Sequence, residues 1–312
     1  MTTQETAEPQ VAVLLCTKDG ERFLAEQLDS INCQTFSSWK VWASDDGSCD
    51  GTRAILDHYR AMSGGRFSVQ PGPQRGYAAN FLSLVCNEKI TAEYYAFSDQ
   101  DDIWEVDKLA RAVAWLKAVP ATEPALYCSR TRLIDETGRE IGLSPLFSRP
   151  PGFANALVQN IGGGNTMVFN HAARLLLQEA GCELDVFAHD WWLYLLVSGC
   201  GGTVFYDPRP MVRYRQQGMN LMGANIGWLP KLVRIRLLLQ GRFREWNAGN
   251  LKALQGVSRM LTSENRQILK GWAEFRQQPL LPRLLGFKRI GVYRQTPAGN
   301  LGLLVAALFR RM

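Results

Sequence analysis

Over the first hundred residues, four short apolar runs alternate with stretches of helical spacing, and three of the runs end in polar or acidic loops. Residues 11–16 are continuously apolar before Thr17-Lys18-Asp19-Gly20, which is how a parallel strand covered on both faces reads. Residues 21–32 then carry Phe23, Leu24, Leu28 and Ile31 at helical spacing. Residues 40–44 read as a second strand ending in Asp45-Asp46-Gly47-Ser48, and Asp50-Gly51-Thr52 opens a helix over 53–62. A third strand is expected at 67–70, followed by a loop over 71–76, a helix from Tyr77 towards Asn87, and a fourth strand at 94–97. This β-α-β-α-β-α-β order predicts an α/β protein with a doubly wound, mostly parallel sheet. Such sheets bind ligands outside the carboxyl ends of their strands. The loops 17–20, 45–48 and 99–102 are therefore expected to line one crevice. Neither a P-loop nor a dinucleotide fingerprint follows the first strand.

The fourth run leads into F-S-D-Q-D-D-I-W, residues 97–104, with three carboxylates within four positions. Side chains alternate where a strand runs out, so Asp99 and Asp101 project to the same side. Two carboxylates held that close ionise together only with a cation between them. A hard divalent ion, Mg2+ or Mn2+, fits oxygen ligands and keeps further positions for water and phosphate. The competing reading is acidic residues complementing the dipole of the helix that follows. Three acids beside an aromatic strand end favour the metal.

The 312 residues suffice for one large domain or one domain with an appendage, and 46% of them are apolar, enough for a real core. Residues 1–10 read as a polar tail, with no basic start and apolar stretch of the secretory kind. No run reaches the roughly eighteen apolar residues of a membrane span. Seven scattered cysteines without a C-x-x-C pair lead to an expectation of reduced thiols, a cytoplasmic protein and no zinc site. The net charge of +6 conceals a split: residues 227–312 hold 16 Lys and Arg against 3 Asp and Glu, so residues 1–226 are net acidic.

After Pro120 the pattern mixes. Residues 125–133 read as a strand, and Asp135-Glu136-Thr137-Gly138 as a hairpin turn. The glycine-rich stretch 160–166, including Gly164 and Asn165, suits either a plain turn or an anion cradle. It enters a strand at 167–170 and a helix over 171–179. His189-Asp190-Trp191-Trp192 opens an apolar helix, where Asp190 is either a cap or part of a sugar site combining a carboxylate with aromatic rings. A strand over 200–206 precedes the polar run Arg213-Tyr214-Arg215-Gln216-Gln217, whose arginines can face phosphates or form surface ion pairs. Beyond Gly227, leucines interleave with basic residues at 231–239, 280–290 and 301–312, which fits an anionic lipid surface first and packing against the acidic part second. No nucleic-acid module accompanies them.

Taken together, residues 11–20, the D-D-G-S at 45–48 with D-G-T at 50–52, and S-D-Q-D-D-I-W at 98–104 resemble family 2 glycosyltransferases of the GT-A fold. H-D-W-W at 189–192 and Y-R-Q-Q-G at 214–218 are similar to the rhamnosyltransferase-like subgroup that builds bacterial surface polysaccharides. The resemblance covers about residues 10–226 and implies a GT-A domain over 11–226, beyond which the charge pattern reads as a basic helical region over 227–312. By position it implies that Cys16, Thr17 and Asp46, with Asp45 beside them, line the base and ribose of a nucleotide-sugar. Arg75 and Gly76 match the nucleotide-side loop. Asp99 and Asp101 match the metal and diphosphate site, with Asp102 adjoining, and Asp190 matches the catalytic base. Gly164, Asn165, His189, Trp191, Trp192, Arg215 and Gln217 complete the expected substrate and nucleotide contacts.

Two departures from the pattern stand out: Lys18-Asp19 where the family usually has Tyr-Asn, and Gln217 where it has His. The resulting expectation is an inverting, Mn2+- or Mg2+-dependent transferase acting at the cytoplasmic membrane face. Its donor is a dTDP- or UDP-linked sugar such as dTDP-L-rhamnose, and its acceptor a glycan or polyprenyl-diphosphate-linked glycan. A sugar nucleotidyltransferase and a non-catalytic nucleotide- or glycan-binding subunit are the alternatives.

Overall fold

The computed structural model describes residues 10–217, 242–279 and 290–309. The alternating first part forms as its pattern predicts: β1 (Val11–Thr17), α1 (Leu24–Asn32), β2 (Trp39–Asp45), α2 (Thr52–Met62), β3 (Phe67–Pro71), α3 (Tyr77–Cys86) and β4 (Tyr94–Ser98). β3, β2, β1 and β4 lie side by side in that order, all parallel. Every residue of β1 is buried because helices cover both faces. Ala12, Leu14 and Cys16 enter one core with α3, while Val11, Val13 and Leu15 enter the other with α1 and α2.

The second part completes a mixed sheet in the overall order β3-β2-β1-β4-β8-β6-β9-β5. It comprises β5 (Ile103–Trp104), α4 (Lys108–Leu116), β6 (Ala125–Ile134), β7 (Glu140–Leu143), the short α5 (Phe153–Ala156), a 3-10 turn (Gly164–Thr166), β8 (Val168–Asn170), α6 (His171–Ala180), α7 (His189–Gly199) and β9 (Thr203–Arg215). β8 runs antiparallel between β4 and β6. The Asp135–Gly138 hairpin forms as expected, with Gly138 at φ +84° and its N–H on Asp135 O at 3.0 Å. β9 departs from expectation, since the strand and the polar run after it are one element of thirteen residues. Pro208 and Pro210 interrupt its reading, yet they fall where the β6–β9 register shifts, so the missing N–H groups are tolerated. The outcome is that Tyr214 and Arg215 are delivered to the sheet end beside the acidic loop.

The described part of the basic region packs on the same side as α3, α6 and α7. α8 (Arg242–Gly256), α9 (Ser263–Gln277) and α10 (Pro297–Leu308) contribute Leu254, Leu269, Trp272, Phe275, Leu303 and Ala306 to that core. α9 and α10 start on side-chain caps from Thr262 and Thr296. The expected basic helices over 227–241 and 280–289 lie outside the described residues, and so does the tail over 1–9. α10 carries the leucines of the mixture expected over 301–312, whose basic residues, Arg310 and Arg311, lie outside the described residues. Among the described residues, no helix is long and apolar enough to cross a membrane.

The expectation of seven reduced thiols is corrected. Cys86 at the end of α3 is bonded to Cys182 after α6, with Cα atoms 6.1 Å apart, whereas Cys16, Cys33, Cys49, Cys128 and Cys200 are free. Sequence spacing could not reveal it, because 96 residues separate the partners and only the packing of α6 on α3 brings them together. The compartment argument from reduced cysteines therefore loses its basis. Closing so long a loop restricts the unfolded chain, so Cys86→Ala with Cys182→Ala is expected to cost about 2–4 kcal/mol. A denaturation midpoint unchanged from the oxidised wild type would contradict this.

Candidate active site

At the carboxyl ends of β1, β2 and β4 the three expected loops converge. Thr17 Oγ1 donates to Asp45 Oδ1 at 3.0 Å, and Asp45 also accepts from Ser48 N at 3.2 Å and Ser48 Oγ at 2.5 Å. Asp45 thus holds the first two loops together. Asp46 accepts from Gln74 N at 2.5 Å and Gly76 N at 3.2 Å, shaping the loop after β3. Gly72 lets that loop close, since a Cβ there would lie 2.7 Å from Asp46 Oδ1. Gly76 sits at φ +89° and enters through its backbone, while the Arg75 guanidinium turns outward to Glu183 at 2.6 Å. Cys16 is buried beneath, its thiol pushed well up by burial and then by the charges of Asp99 and Asp46.

The acidic loop and the glycine-rich turn meet opposite these residues. Burial, then Asp101 and Asp190, push the Asp99 carboxyl up to about 8. Burial also raises Asp101, against a hydrogen bond from the Gln217 amide that favours its ionised form. Asp102 is fully buried and accepts from the Asn165 side-chain amide and from Arg215 N at 3.2 Å. Asp190 opens α7 and accepts from Trp191 N at 2.6 Å and Gly164 N at 2.8 Å. Burial lifts its carboxyl to about 6 despite these bonds. The Gly164-Asn165 turn therefore grips Asp190 with one residue and Asp102 with the next, fixing the two acidic centres relative to each other. Gly164 has no room for a side chain: a Cβ would lie 2.6 Å from His189 Nε2 and 3.2 Å from Asp190 Cβ. Gly164→Ala is expected to displace Asp190 and lower any rate that depends on that carboxylate by about 10²-fold, the scale of a 1 Å misplacement. An unchanged rate would argue against this account.

Four expected contacts need correction. Trp191 and Trp192 are 4% and 0% exposed, with Trp191 Nε1 donating to Ala156 O at 2.7 Å, so their rings form core and present no face to a sugar. An apolar helix buried on all sides reads the same as an aromatic sugar platform. His189 is buried against Phe81, ring centroids 3.8 Å apart, and burial takes its imidazole down to about 3. It is a neutral wall behind Asp190. Arg215 is 1% exposed; it pairs with Glu26, lies over the Phe23 ring at 4.2 Å, and donates to Asp101 O at 3.0 Å and Glu136 O at 3.2 Å. It clamps the acidic loop from behind instead of facing phosphates, and Arg213 pairs with Glu105 at 3.0 Å.

Residues given no role in the sequence reading also belong here. Burial, then the charges of Asp102, Asp99, Asp101 and Asp190, raise the Tyr214 phenol, which places it among the site's acids. Tyr77, raised by burial and by Asp190 and Asp99, donates to Phe187 O at 2.7 Å. The buried Lys108 ammonium lies 3.6 Å over the Trp104 ring, lowered to about 7 by burial against the pull of Asp102. Tyr214 alternates with Arg213 and Arg215, which would have exposed it had β9 been recognised through its prolines. Among the described residues, no group of three or more His, Cys, Asp or Glu gathers as a metal cage. Asp99 and Asp101 supply two hard oxygen donors, which fits a Mg2+ or Mn2+ that takes its other ligands from diphosphate and water.

The crevice at the carboxyl ends of β1, β2 and β4 is lined by acids, and no dinucleotide glycine fingerprint follows β1. Residues 12–180 match the model of glycosyl transferase family 2, and the chain belongs to that family as a glycosyltransferase. The dTDP-rhamnosyl transferase RfbG of Shigella flexneri is 26% identical over 245 residues, covering 74% of this chain and 81% of the relative. The putative glycosyltransferase EpsE of Bacillus subtilis is 33% identical over 110 residues, 35% of this chain and 39% of its own length. TarS of S. aureus, solved in complex with UDP-GlcNAc, superimposes with a TM-score of 0.55 at 16% identity, over 97% of this chain and 89% of that one. The mannosyltransferase PcManGT of Pyrobaculum calidifontis, solved with GDP-Man and Mn2+, gives 0.54 at 18% identity over 98% and 86%. These structures establish the GT-A architecture.

Proposed function

We propose that this glycosyltransferase moves L-rhamnose from dTDP-rhamnose, with inversion, onto a glycan or lipid-linked glycan acceptor in cell-surface polysaccharide synthesis. The observation that supports this reading is that the charges of Asp101 and Asp190 both act on the buried Asp99 carboxyl, an arrangement suited to a base beside a diphosphate-binding centre. The rhamnosyl donor is supported by the likeness to RfbG over most of both chains. A Mg2+ or Mn2+ held by Asp99 and Asp101 would supply positive charge to the leaving diphosphate.

The chain's own residues do the rest. Asp190, ionised and fixed by Gly164 N and Trp191 N, accepts the proton of the acceptor hydroxyl. That oxygen forms its bond to the anomeric carbon as the bond from that carbon to the diphosphate oxygen breaks on the opposite face, and the electron pair leaves with the nucleotide. The Gly76 and Asp46 loop orients the base and ribose. A lipid-linked acceptor at the cytoplasmic face of the membrane is supported by the basic composition of 227–312 and by Leu301, Leu304, Leu308 and Phe309, exposed on and just after α10.

A second reading, a non-catalytic nucleotide-binding subunit, is favoured by one contact: the Gln217 amide engages the Asp101 carboxylate that a cation would use. Calorimetry with dTDP, UDP, GDP and their sugars, with and without Mn2+, tests the donor site. Metal-enhanced binding strongest for dTDP species, followed by transfer to a glycan acceptor, is the expected result. Binding without transfer or donor hydrolysis favours the subunit, and no binding by the folded protein removes both readings.

A further inference from the structure

The residue between the two metal-facing carboxylates does something different from either. β4 ends at Ser98, and Gln100 follows in the bend between Asp99 and Asp101. Its amide meets the backbone of Lys18 in the first loop, 82 positions earlier. Lys18 N donates to Gln100 Oε1 at 2.7 Å, and Gln100 Nε2 donates to Lys18 O at 2.9 Å. Both polar atoms of the side chain are used on one residue's N–H and C=O, so the amide acts as a one-residue extension of a strand ladder. Gly20 is shaped around it: a Cβ there would lie 2.5 Å from Gln100 Cδ.

The far side of the same loop is anchored on the β2–α2 connection. Asp19 N donates to Ser48 Oγ at 2.9 Å, Cys49 N to Asp19 Oδ1 at 2.7 Å, and Gly20 N to Thr52 Oγ1 at 2.7 Å. Asp19 itself sits at φ +47°, a left-handed conformation that asparagine and aspartate tolerate and that these bonds hold in place. The first loop is thus suspended between the base-side connection and the acidic loop, with Gln100 forming the second attachment.

We propose that Gln100 is a positioning residue that couples the two halves of the donor site. The clamp links the loop reading the nucleoside to the loop carrying Asp99 and Asp101, so ordering either loop orders the other. Lys18 contributes through its backbone, which is why a lysine can stand where the resembling family has tyrosine without loss of this link. The inference rests on the donor-site reading above and concerns how nucleoside and metal binding reinforce one another.

The test is the metal enhancement of nucleotide affinity, the ratio of the Kd for dTDP without Mn2+ to that with saturating Mn2+, measured by calorimetry on the full chain. Gln100→Met keeps the side chain's length and removes both hydrogen bonds. Gln100→Glu keeps an acceptor for Lys18 N but, as a carboxylate, cannot donate to Lys18 O. Coupling energies between sites commonly correspond to about 5–150-fold. The expected result is an enhancement in wild type that drops by at least about fivefold in Gln100→Met and in Gln100→Glu. Gly20→Ala, which crowds the same amide from the other side, lowers the ratio as well. A merely structural role would lower the melting temperature and leave the ratio intact, and that outcome overturns the proposal. Wild type that binds no nucleotide instead overturns the donor-site reading on which it rests.

Discussion

Asp190→Asn is expected to abolish nearly all sugar transfer, by about 10³-fold, within the range that a positioned general base supplies, while the protein stays folded and binds its donor. The substitution is nearly isosteric. In the wild type Gly164 N and Trp191 N bond to different carboxylate oxygens, so the amide oxygen of asparagine keeps one of these two bonds at the start of α7 and gives up the other. It cannot take a proton from an acceptor hydroxyl, which is a poor nucleophile without a base. Near-wild-type transfer by a folded Asp190→Asn variant would sink the assignment.

The same group sets the acid side of the pH profile. Its carboxyl is raised to about 6 because burial penalises the charge, and the working form is the ionised one. The rate therefore falls as pH drops through the working pKa, one proton per turnover complex. A cation at Asp99 and Asp101 stabilises negative charge nearby, so in the loaded enzyme the limb lies at or below about 6. A limb well above that value would mean that another group is the base.

How much of this was legible in the sequence depended on whether residue type alone decided the outcome. β1 to β4 were readable because strands covered on both faces must be apolar throughout, and their polar ends had nowhere to go but the crevice. The acids of the 97–104 stretch were readable for a related reason: carboxylates crowded at a strand end have few stable explanations. Burial was not readable. Trp191, Trp192 and Arg215 have side chains equally suited to a ligand or a core, and only the packing of α7 and the seating of Arg215 on Phe23 and Glu26 decided between them. β9 was hidden by Pro208 and Pro210, which a local rule counts as strand breakers but a register shift accommodates. Gln100 was missed because a neutral amide between two acids draws no attention until the Lys18 backbone lies opposite it. The Cys86–Cys182 bond depends wholly on helix packing.

The other large effect is expected at Asp99, where Asp99→Asn should remove the metal enhancement of donor binding and with it transfer, yet make the metal-free protein more stable. Three carboxylates, Asp99, Asp101 and Asp190, share one buried region, and burial and mutual repulsion hold the Asp99 carboxyl at about 8. Its ordinary value is 3.8, so between those limits the folded protein binds a proton that the unfolded chain releases. Stability of the metal-free protein therefore declines as pH rises from about 4 to about 8, because the unfolded state holds fewer protons over that window. Asparagine keeps the shape without the charge, so the melting temperature of the variant should exceed that of wild type at pH 8 and depend less on pH below it. Saturating Mn2+ with dTDP should reverse the order, raising the wild-type melting temperature through ligand linkage and leaving the variant unmoved. Stability exchanged for function in this way marks a carboxylate retained for its ligand. If Asp99→Asn instead melted lower than wild type without metal, or kept the Mn2+ enhancement of dTDP binding, Asp99 would be a structural acid and the metal-binding role would pass from this pair.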